Sequence, residues 1–168
     1  MTTTITSPAT NAPSPKPVVR TVLWVGLLVG SLDIVAACIS AKISNDVNPD
    51  RVLKYVASGV FGKAAFSGGT MMAVYGLLFH FMIAYGATIF FFWLYPRMKW
   101  LSKNSWITGM VYALFIWIVT TRIIVPLSNT PPSTFRFDRA LLAWGILVVA
   151  IGWPLAFCAK RFYYPKSK

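Results

Sequence analysis

The sequence predicts an all-α integral membrane protein: a bundle of four transmembrane helices, with a short amphipathic or re-entrant helix between the first and the second. Two features of composition support this prediction. The 168-residue chain is 57% hydrophobic, with a mean hydropathy of +0.63. Its charged residues make up only 12%, about half of the roughly 25% found in soluble domains. The third observation is four long apolar stretches, each able to supply the roughly 20 residues that cross a bilayer as a helix.

The four predicted spans occupy residues 21–41, 70–95, 106–125 and 140–157. Arg20 and Lys42 flank the first span, and Pro96 and Pro126 stop the second and the third. Pro154 lies inside the fourth span, where its missing N–H should kink the helix or mark its end. The stretches are too long and too continuously apolar for barrel strands, which alternate over about ten residues.

The remaining segments complete the domain organisation. Residues 1–19 are rich in Thr, Ser and Pro, without apolar periodicity, and are expected to form a disordered tail. Residues 20–164 form the transmembrane domain, and 165–168 form a basic C-terminal end. The first span is too long for a signal peptide and is interrupted by Asp33, so we expect it to remain in the protein.

The distribution of Lys and Arg predicts the topology. Nine of them flank the spans on the side that would hold both termini, and six flank the spans on the opposite side. Because positive residues are retained in the cytoplasm, we expect both termini to be cytoplasmic. The same residues are expected to contact anionic lipid headgroups.

The segment between the first two spans predicts a helix over 49–61. Asn48 can cap it, Pro49 suits its first position, and Asp50 lies in its first turn. Two interpretations remain open: an interfacial helix that lies on the bilayer, or a partly re-entrant element that covers the mouth of the bundle. In either case small residues should allow close approach or sharp turns around it, namely Ser58, Gly59, Gly62, Gly68 and Gly69. The connection over 126–138, which Pro131 and Pro132 should keep extended, is expected to lie next to this helix and to form a small cap with it.

Three ionisable residues lie inside the predicted spans: Asp33, His80 and Arg122. Such residues are costly in hydrocarbon and usually face a partner or a cavity. With the termini inside, the helical rise places all three in the central-to-outer part of the membrane. We therefore expect Asp33, His80 and Arg122 to form a buried polar network. Neutral partners for it would come from Thr121, Ser31 and Tyr75, together with Thr120.

The same three residues are also compatible with purely structural roles. An Asp–Arg pair can serve only to fix helix register, and Arg122 can extend to the interface by itself. His80 can be an ordinary hydrogen-bonded bundle residue. The G-x-x-x-G pattern of Gly26 and Gly30 favours close helix contact, within the monomer or in a dimer.

Several function classes are not expected. One His, no Glu and two distant cysteines, Cys38 and Cys158, cannot build a closed zinc site, so neither a metal nor a cofactor is predicted. The chain lacks a P-loop, a nucleophile elbow and a Rossmann pattern, so it is not expected to be an enzyme. The net charge of +12 lies beside the spans rather than in a separate basic module, so nucleic-acid binding is not expected.

Four segments carry a family resemblance: SLDIVAA, VLKYVASGVFGKAAFSGG, GLLFHFMIA and RIIVPLS. Over residues 20–160 the chain resembles a widespread group of bacterial four-helix inner-membrane proteins that have no established activity. The resemblance implies a bacterial inner-membrane location and supplies no residue roles. The matching positions are Asp33, Gly59, Gly62, Phe66, Gly68, Gly69, His80, Pro126, Leu127 and Ser128.

Two functional classes follow from these observations. The first is a small transporter or channel-like protein in which Asp33 and His80 handle protons or cations and Arg122 sets the local field. The second is a non-catalytic accessory subunit or lipid-binding scaffold whose polar network is structural. A homo-oligomer or a larger membrane complex is compatible with both.

Overall fold

The computed structural model describes residues 15–131 and 136–164, and throughout these ranges the regular structure is helical. Four helices are long and apolar enough to cross a membrane, which confirms the predicted fold class. The elements in order are α1 (Pro15–Asn45), α2 (Pro49–Phe61), α3 (Ala64–Ser67), α4 (Gly69–Leu94), a 3₁₀ turn (Lys99–Ser102), α5 (Ser105–Leu127) and α6 (Phe137–Tyr163).

Helices α1, α5 and α6 extend beyond their predicted spans at both ends, whereas α4 ends at Leu94, one residue before the end of its predicted span. Residues 15–19, predicted as part of the disordered tail, are instead the first turn of α1. The prediction failed because prolines were taken as a sign of disorder, whereas a helix accepts proline in its first turn, where the N–H has no intrahelical partner. Thr21 Oγ1 donates to the Pro17 carbonyl at 2.7 Å and adds to this turn. The rest of the tail (1–14) and the basic end (165–168) lie outside the described residues.

Two π-helical segments interrupt the last two spans. Thr120–Ile124 lies in α5 and Val148–Gly152 lies in α6. Each precedes a proline, Pro126 or Pro154, whose ring would clash with the carbonyl four residues earlier in a regular α-helix. The wider π turn accommodates that carbonyl. Helix α5 ends at Leu127, one residue beyond Pro126, whereas α6 continues through Pro154 to Tyr163. π segments of this kind are frequent at functional sites.

The half of the bundle that contains the start of α1 and the end of α6 is closely packed. This terminal half comprises residues 18–30, 84–115 and 148–163, and its core is formed largely by Val29, Phe91, Tyr95, Tyr112, Leu155, Ala156 and Ala159. Two glycine contacts draw helices together here. Gly26 and Gly30 of α1 receive the rings of Tyr85 and Phe81 from α4, and Gly109 of α5 meets Gly152 of α6 backbone to backbone. The G-x-x-x-G pattern therefore packs within one chain.

The half opposite the termini is built differently. This open half comprises residues 31–45, 49–83, 116–130 and 137–147. Helix α2 begins at Pro49 and ends at Phe61, as predicted, and packs against α4. Gly76 allows this contact, since any Cβ there would collide with the Leu53 carbonyl. Asn48 precedes α2 with an extended backbone, but its side chain accepts from Lys42 and makes no capping bond.

Around the bundle the order of the spans is α4, α1, α6 and α5. Helix α1 packs on both α4 and α6, and α5 packs on α6. The remaining seam, between α5 and α4, is closed in the terminal half by aromatic side chains. The Phe91 and Tyr112 ring centroids are 4.5 Å apart, and the Tyr112 hydroxyl donates to the Ala87 carbonyl at 2.6 Å. These contacts mark the level at which the packed half ends.

Candidate functional site: a cavity in the open half

A cavity of about 640 Å³ occupies the open half of the bundle. Side chains from α1, α2, α4, α5 and α6 line it, and most of the lining is apolar. The lining face of α1 follows helical spacing through Asp33, Ala37, Ala41 and Ser44. The volume lies within the roughly 300–1,000 Å³ of small-molecule sites. Its ionisable and polar lining residues are Asp33, Ser40, Ser44, Asn45, Tyr55, His80, Thr120, Thr121, Ser128, Thr130 and Arg139.

Asp33 contributes the single carboxyl group among the described residues that line this cavity. The side chain is half-buried in the middle of α1. Within the described part of the chain, the ion pairs are Lys42–Asp46, Lys54–Asp50 and Arg136–Asp138, and all involve exposed carboxylates. The pairing of Asp33 with Arg122 stays a prediction. An ionised carboxylate at this position would need a positive partner to offset its desolvation.

His80 lies beside Asp33 and joins α4 to α1. Its Nε2 is 2.8 Å from the Gly30 carbonyl oxygen. A carbonyl can only accept, so Nε2 carries a hydrogen in either charge state of the ring. Gly30 also lets α4 lie close to α1, because a Cβ there would lie 2.8 Å from the Phe81 ring. Asp33 and His80 line the same cavity.

The π segment of α5 brings two threonines to the cavity. Thr120 and Thr121 both belong to the lining. Thr121 Oγ1 donates to the Trp117 carbonyl at 2.7 Å, so its hydrogen is used within its own helix. This local bond is the usual alternative for a helical threonine. The predicted neutral partner of Asp33 is thus present in the cavity, but its hydroxyl hydrogen is engaged elsewhere.

Three members of the predicted network lie elsewhere. Arg122 is exposed and is not one of the lining residues, and Ser31 is likewise absent from the lining. Tyr75 packs its ring against Phe61 of α2, with 5.5 Å between the ring centroids. These three residues are not among the cavity lining, and their part in a polar network stays a prediction. Depth along a helix follows from residue counting, but the rotation of each helix about its axis does not.

Arg139 is a cationic side chain of the cavity that was not predicted from the sequence. It was counted only as a flanking charge, but it lines the cavity, and its Nη2 donates to Asn45 Oδ1 at 2.9 Å. A signal was present in the sequence. Residues 139, 142, 143 and 146 of α6 all face the cavity, with the 3–4 spacing of one helical face.

The predicted cap closes part of the open half. Ser58 is buried and donates to the Tyr55 carbonyl at 2.6 Å. Gly59 lines the cavity, and its carbonyl accepts from the Asn129 backbone N–H at 2.9 Å. The Asn129 side chain donates to the Val60 carbonyl at 3.0 Å. The segment after α5 therefore joins the end of α2, as the predicted cap required.

Glycines then shape the connection from α2 to α4. Gly62 has a φ of +60°, a left-handed conformation that suits glycine and turns the chain out of α2. Gly68 precedes α4 with an extended backbone, and Gly69 is its first residue. Residues 132–135 of the cap, where the predicted Pro-rich connection continues, lie outside the described residues.

The described residues hold few groups for other chemistry. Over these ranges, no set of three or more His, Cys, Asp or Glu side chains comes together as a metal site. Cys38 and Cys158 are free thiols. The cavity can therefore bind a molecule through apolar contacts, the hydroxyls of serine, threonine and tyrosine side chains, one asparagine amide, one carboxyl group, one imidazole and one guanidinium.

Fold and surface together define the class of protein. The four long helices carry large apolar side chains on their outer faces, such as Trp24, Leu78 and Met82, which are more than half exposed. Apolar surface of this extent is not tolerated in water but suits lipid. The chain is a multi-pass membrane protein with a half-open internal cavity. Comparison with protein-family models, curated proteins and solved structures finds no match to this chain.

Proposed function

We propose that the protein is a small transporter-like protein of the bacterial inner membrane, with the open-half cavity as its substrate site. One observation carries the proposal. The two ionisable residues at mid-membrane depth, Asp33 and His80, both line a single cavity of ligand size. Intramembrane ionisable groups that face a cavity are typical of substrate and proton pathways.

The packing favours a carrier over an open channel. The buried side chains of Phe91, Tyr95 and Leu155 fill the terminal half, beneath the floor of the cavity. An ion channel needs a polar route through the whole bundle, and this half supplies an apolar plug. Transport would require the terminal half to open while the open half closes, as in alternating access.

In this proposal the polar side chains of the cavity have different roles. Asp33 and His80 are the proton-exchanging groups of the substrate site, because a carboxyl group and an imidazole can each bind and release a proton. Arg139, instead of Arg122, supplies the positive charge that sets the electrostatic field at the mouth of the cavity. The positive-inside bias of nine residues to six places that mouth on the outer face of the membrane.

A lipid-binding scaffold is the second candidate, and a specific observation favours it. The cavity walls are mostly apolar, as an acyl chain would require, and Arg139 lies where a lipid phosphate could pair with it. In this function Asp33 and His80 would be structural, and the protein would act as an accessory subunit of a larger complex or as a homo-oligomer.

Flux in proteoliposomes tests the proposal. Purified wild type and Asp33→Asn would be reconstituted, and proton and monovalent-cation flux measured at several pH values. Asp46→Asn is the matched control, because it removes the same charge just beyond the end of the same helix, outside the cavity. Flux in wild type and control that is lost in Asp33→Asn supports transport. Absence of flux from all three, each shown to be folded and inserted, contradicts it and favours the scaffold.

A further inference from the structure

We infer that the cavity takes a lipophilic monovalent cation, with its charge at Asp33, and that this cation and a proton compete for that carboxyl group. The inference rests on the proposed function, because it names the class of molecule that the substrate site would carry. It starts from a mismatch: a carboxyl group faces an apolar cavity without a hydrogen bond or ion pair from the described residues.

The charged and titratable groups that line the cavity are few. Asp33 comes from α1, Tyr55 from α2, His80 from α4 and Arg139 from α6, while α5 contributes only uncharged side chains. Arg139 is bonded to Asn45, which lies twelve residues beyond Asp33 on α1, or about 18 Å along the helix. The guanidinium therefore marks the mouth, and His80 is the one basic group near the carboxyl among the described lining residues.

His80 does not neutralise Asp33 when its ring is uncharged. Its Nε2 hydrogen is directed to the Gly30 carbonyl, so this donor is not available to the carboxyl group. A protonated His80 would supply a positive charge and would oppose a second cation. With a neutral ring, the positive charge that Asp33 needs has to come from the occupant of the cavity. Because the cation displaces a proton from the Asp33 carboxyl group, its binding should strengthen as the pH rises.

The walls suit the body of such a cation. Phe79 of α4 and Trp117 of α5 line the cavity, and Tyr55 does so from α2. Aromatic rings attract cations, most strongly where water is excluded. Small residues, including Ala37, Ala84 and Ala87, leave room for an apolar body. The combination of one carboxyl with aromatic and aliphatic walls fits a bulky cation whose charge is screened by apolar groups.

The exchange has a simple balance. In the proposed exchange, the Asp33 carboxyl group of the empty cavity holds the proton, which leaves no unpaired charge in the apolar site. When the cation enters, the Asp33 O–H bond breaks, the carboxylate pairs with the cation, and one proton leaves to water. No bond forms to the ligand and no electron is transferred. If the cation has no ionisable hydrogen, any proton released on binding comes from the protein and can be measured.

A pair of ions with the same shape and opposite charge tests the inference on the wild-type protein. Tetraphenylphosphonium and tetraphenylborate would be titrated into the full chain in uncharged detergent. Binding would be followed by equilibrium dialysis, and proton release by an indicator dye in weak buffer. We expect saturable binding of the phosphonium, about one proton released per cation, and tighter binding at pH 8 than at pH 6. The borate should show no saturable binding.

Variants sharpen the same experiment. Asp33→Asn should weaken phosphonium binding about tenfold or more and abolish proton release. Asp33→Glu should restore part of both, and Asp46→Asn should behave as the wild type. Should Asp33→Asn fail to fold, the opposite-charge pair on the wild type decides the matter alone.

The remaining outcomes separate the two proposals. Saturable borate binding without phosphonium binding overturns the cation inference and leaves the transporter proposal with an anionic amphiphile. Equal, unsaturable uptake of both ions is partition into micelles and also overturns the inference. Absence of binding together with absence of flux in proteoliposomes overturns the inference and the proposed function alike.

Discussion

The two halves of this bundle use the same four helices for opposite purposes. In the terminal half, aromatic side chains and the backbone contact of Gly109 with Gly152 fill the space between the spans, with Phe91 and Leu155 fully buried. In the open half, the same helices surround a cavity of about 640 Å³. A packed half provides a rigid frame, because protein interiors at full density deform little. The functional groups lie in the half that is left unfilled.

The glycines explain part of this difference. Gly109 and Gly152 bring α5 and α6 into backbone contact in the terminal half. In the open half, the corresponding close contact at Gly76 is made by the short helix α2, and not by another span. The spans are therefore joined directly at one end of the bundle, while at the other end α2 forms part of the cavity wall. Substitutions that act on these contacts should separate the two halves.

The largest effect is expected for Gly152→Ala. The new Cβ would collide with the Gly109 backbone, and neither helix can yield without moving the whole packed half. We expect a loss of about 3 kcal/mol in stability, the upper end of the range for overpacking. Thermal unfolding in detergent measures it. Gly145→Ala, in the same helix with open space around it, is the control. Equal melting of the two variants would contradict the backbone contact.

A smaller and more local effect is expected for Gly76→Ala. Its Cβ would displace α2 at the Leu53 carbonyl, but α2 can move without disturbing the terminal half. Hydrogen exchange should rise over residues 49–61 while the global melting temperature falls only slightly. Gly86→Ala in the same helix, with nothing near its Cβ, serves as the control. A large global destabilisation by Gly76→Ala would show that the halves are not independent.

The smallest effect concerns the two arginines of the open half. Arg139 lines the cavity and Arg122 does not. Arg139→Gln should therefore strengthen phosphonium binding roughly twofold to fivefold, as expected for a charge about 18 Å away at an effective dielectric constant between those of protein and water. Arg122→Gln should leave the affinity unchanged. If Arg122→Gln changed the phosphonium affinity more than Arg139→Gln does, Arg122 would act on the site, as predicted from the sequence.

Much of the fold was predictable from local signals. Continuous apolar runs identified the four spans, because a helix in lipid needs about 20 such residues. Asn48, Pro49 and Asp50 located the start of α2, since proline and an acidic residue suit a first turn. The predicted contact of the cap with α2 was confirmed through Asn129. The family resemblance and the cytoplasmic location of the termini stay predictions.

The candidate site was predictable only in part. The sequence by itself determined which residues are ionisable and how deep they lie, and this sufficed to bring Asp33 and His80 together. Only the tertiary structure decided which residues face each other, since that depends on helix rotation and on two π segments that shift it. For this reason Arg139, and not Arg122, lines the cavity. The cavity itself has no local signature, because a void is defined by the side chains of five helices that meet only when the chain folds.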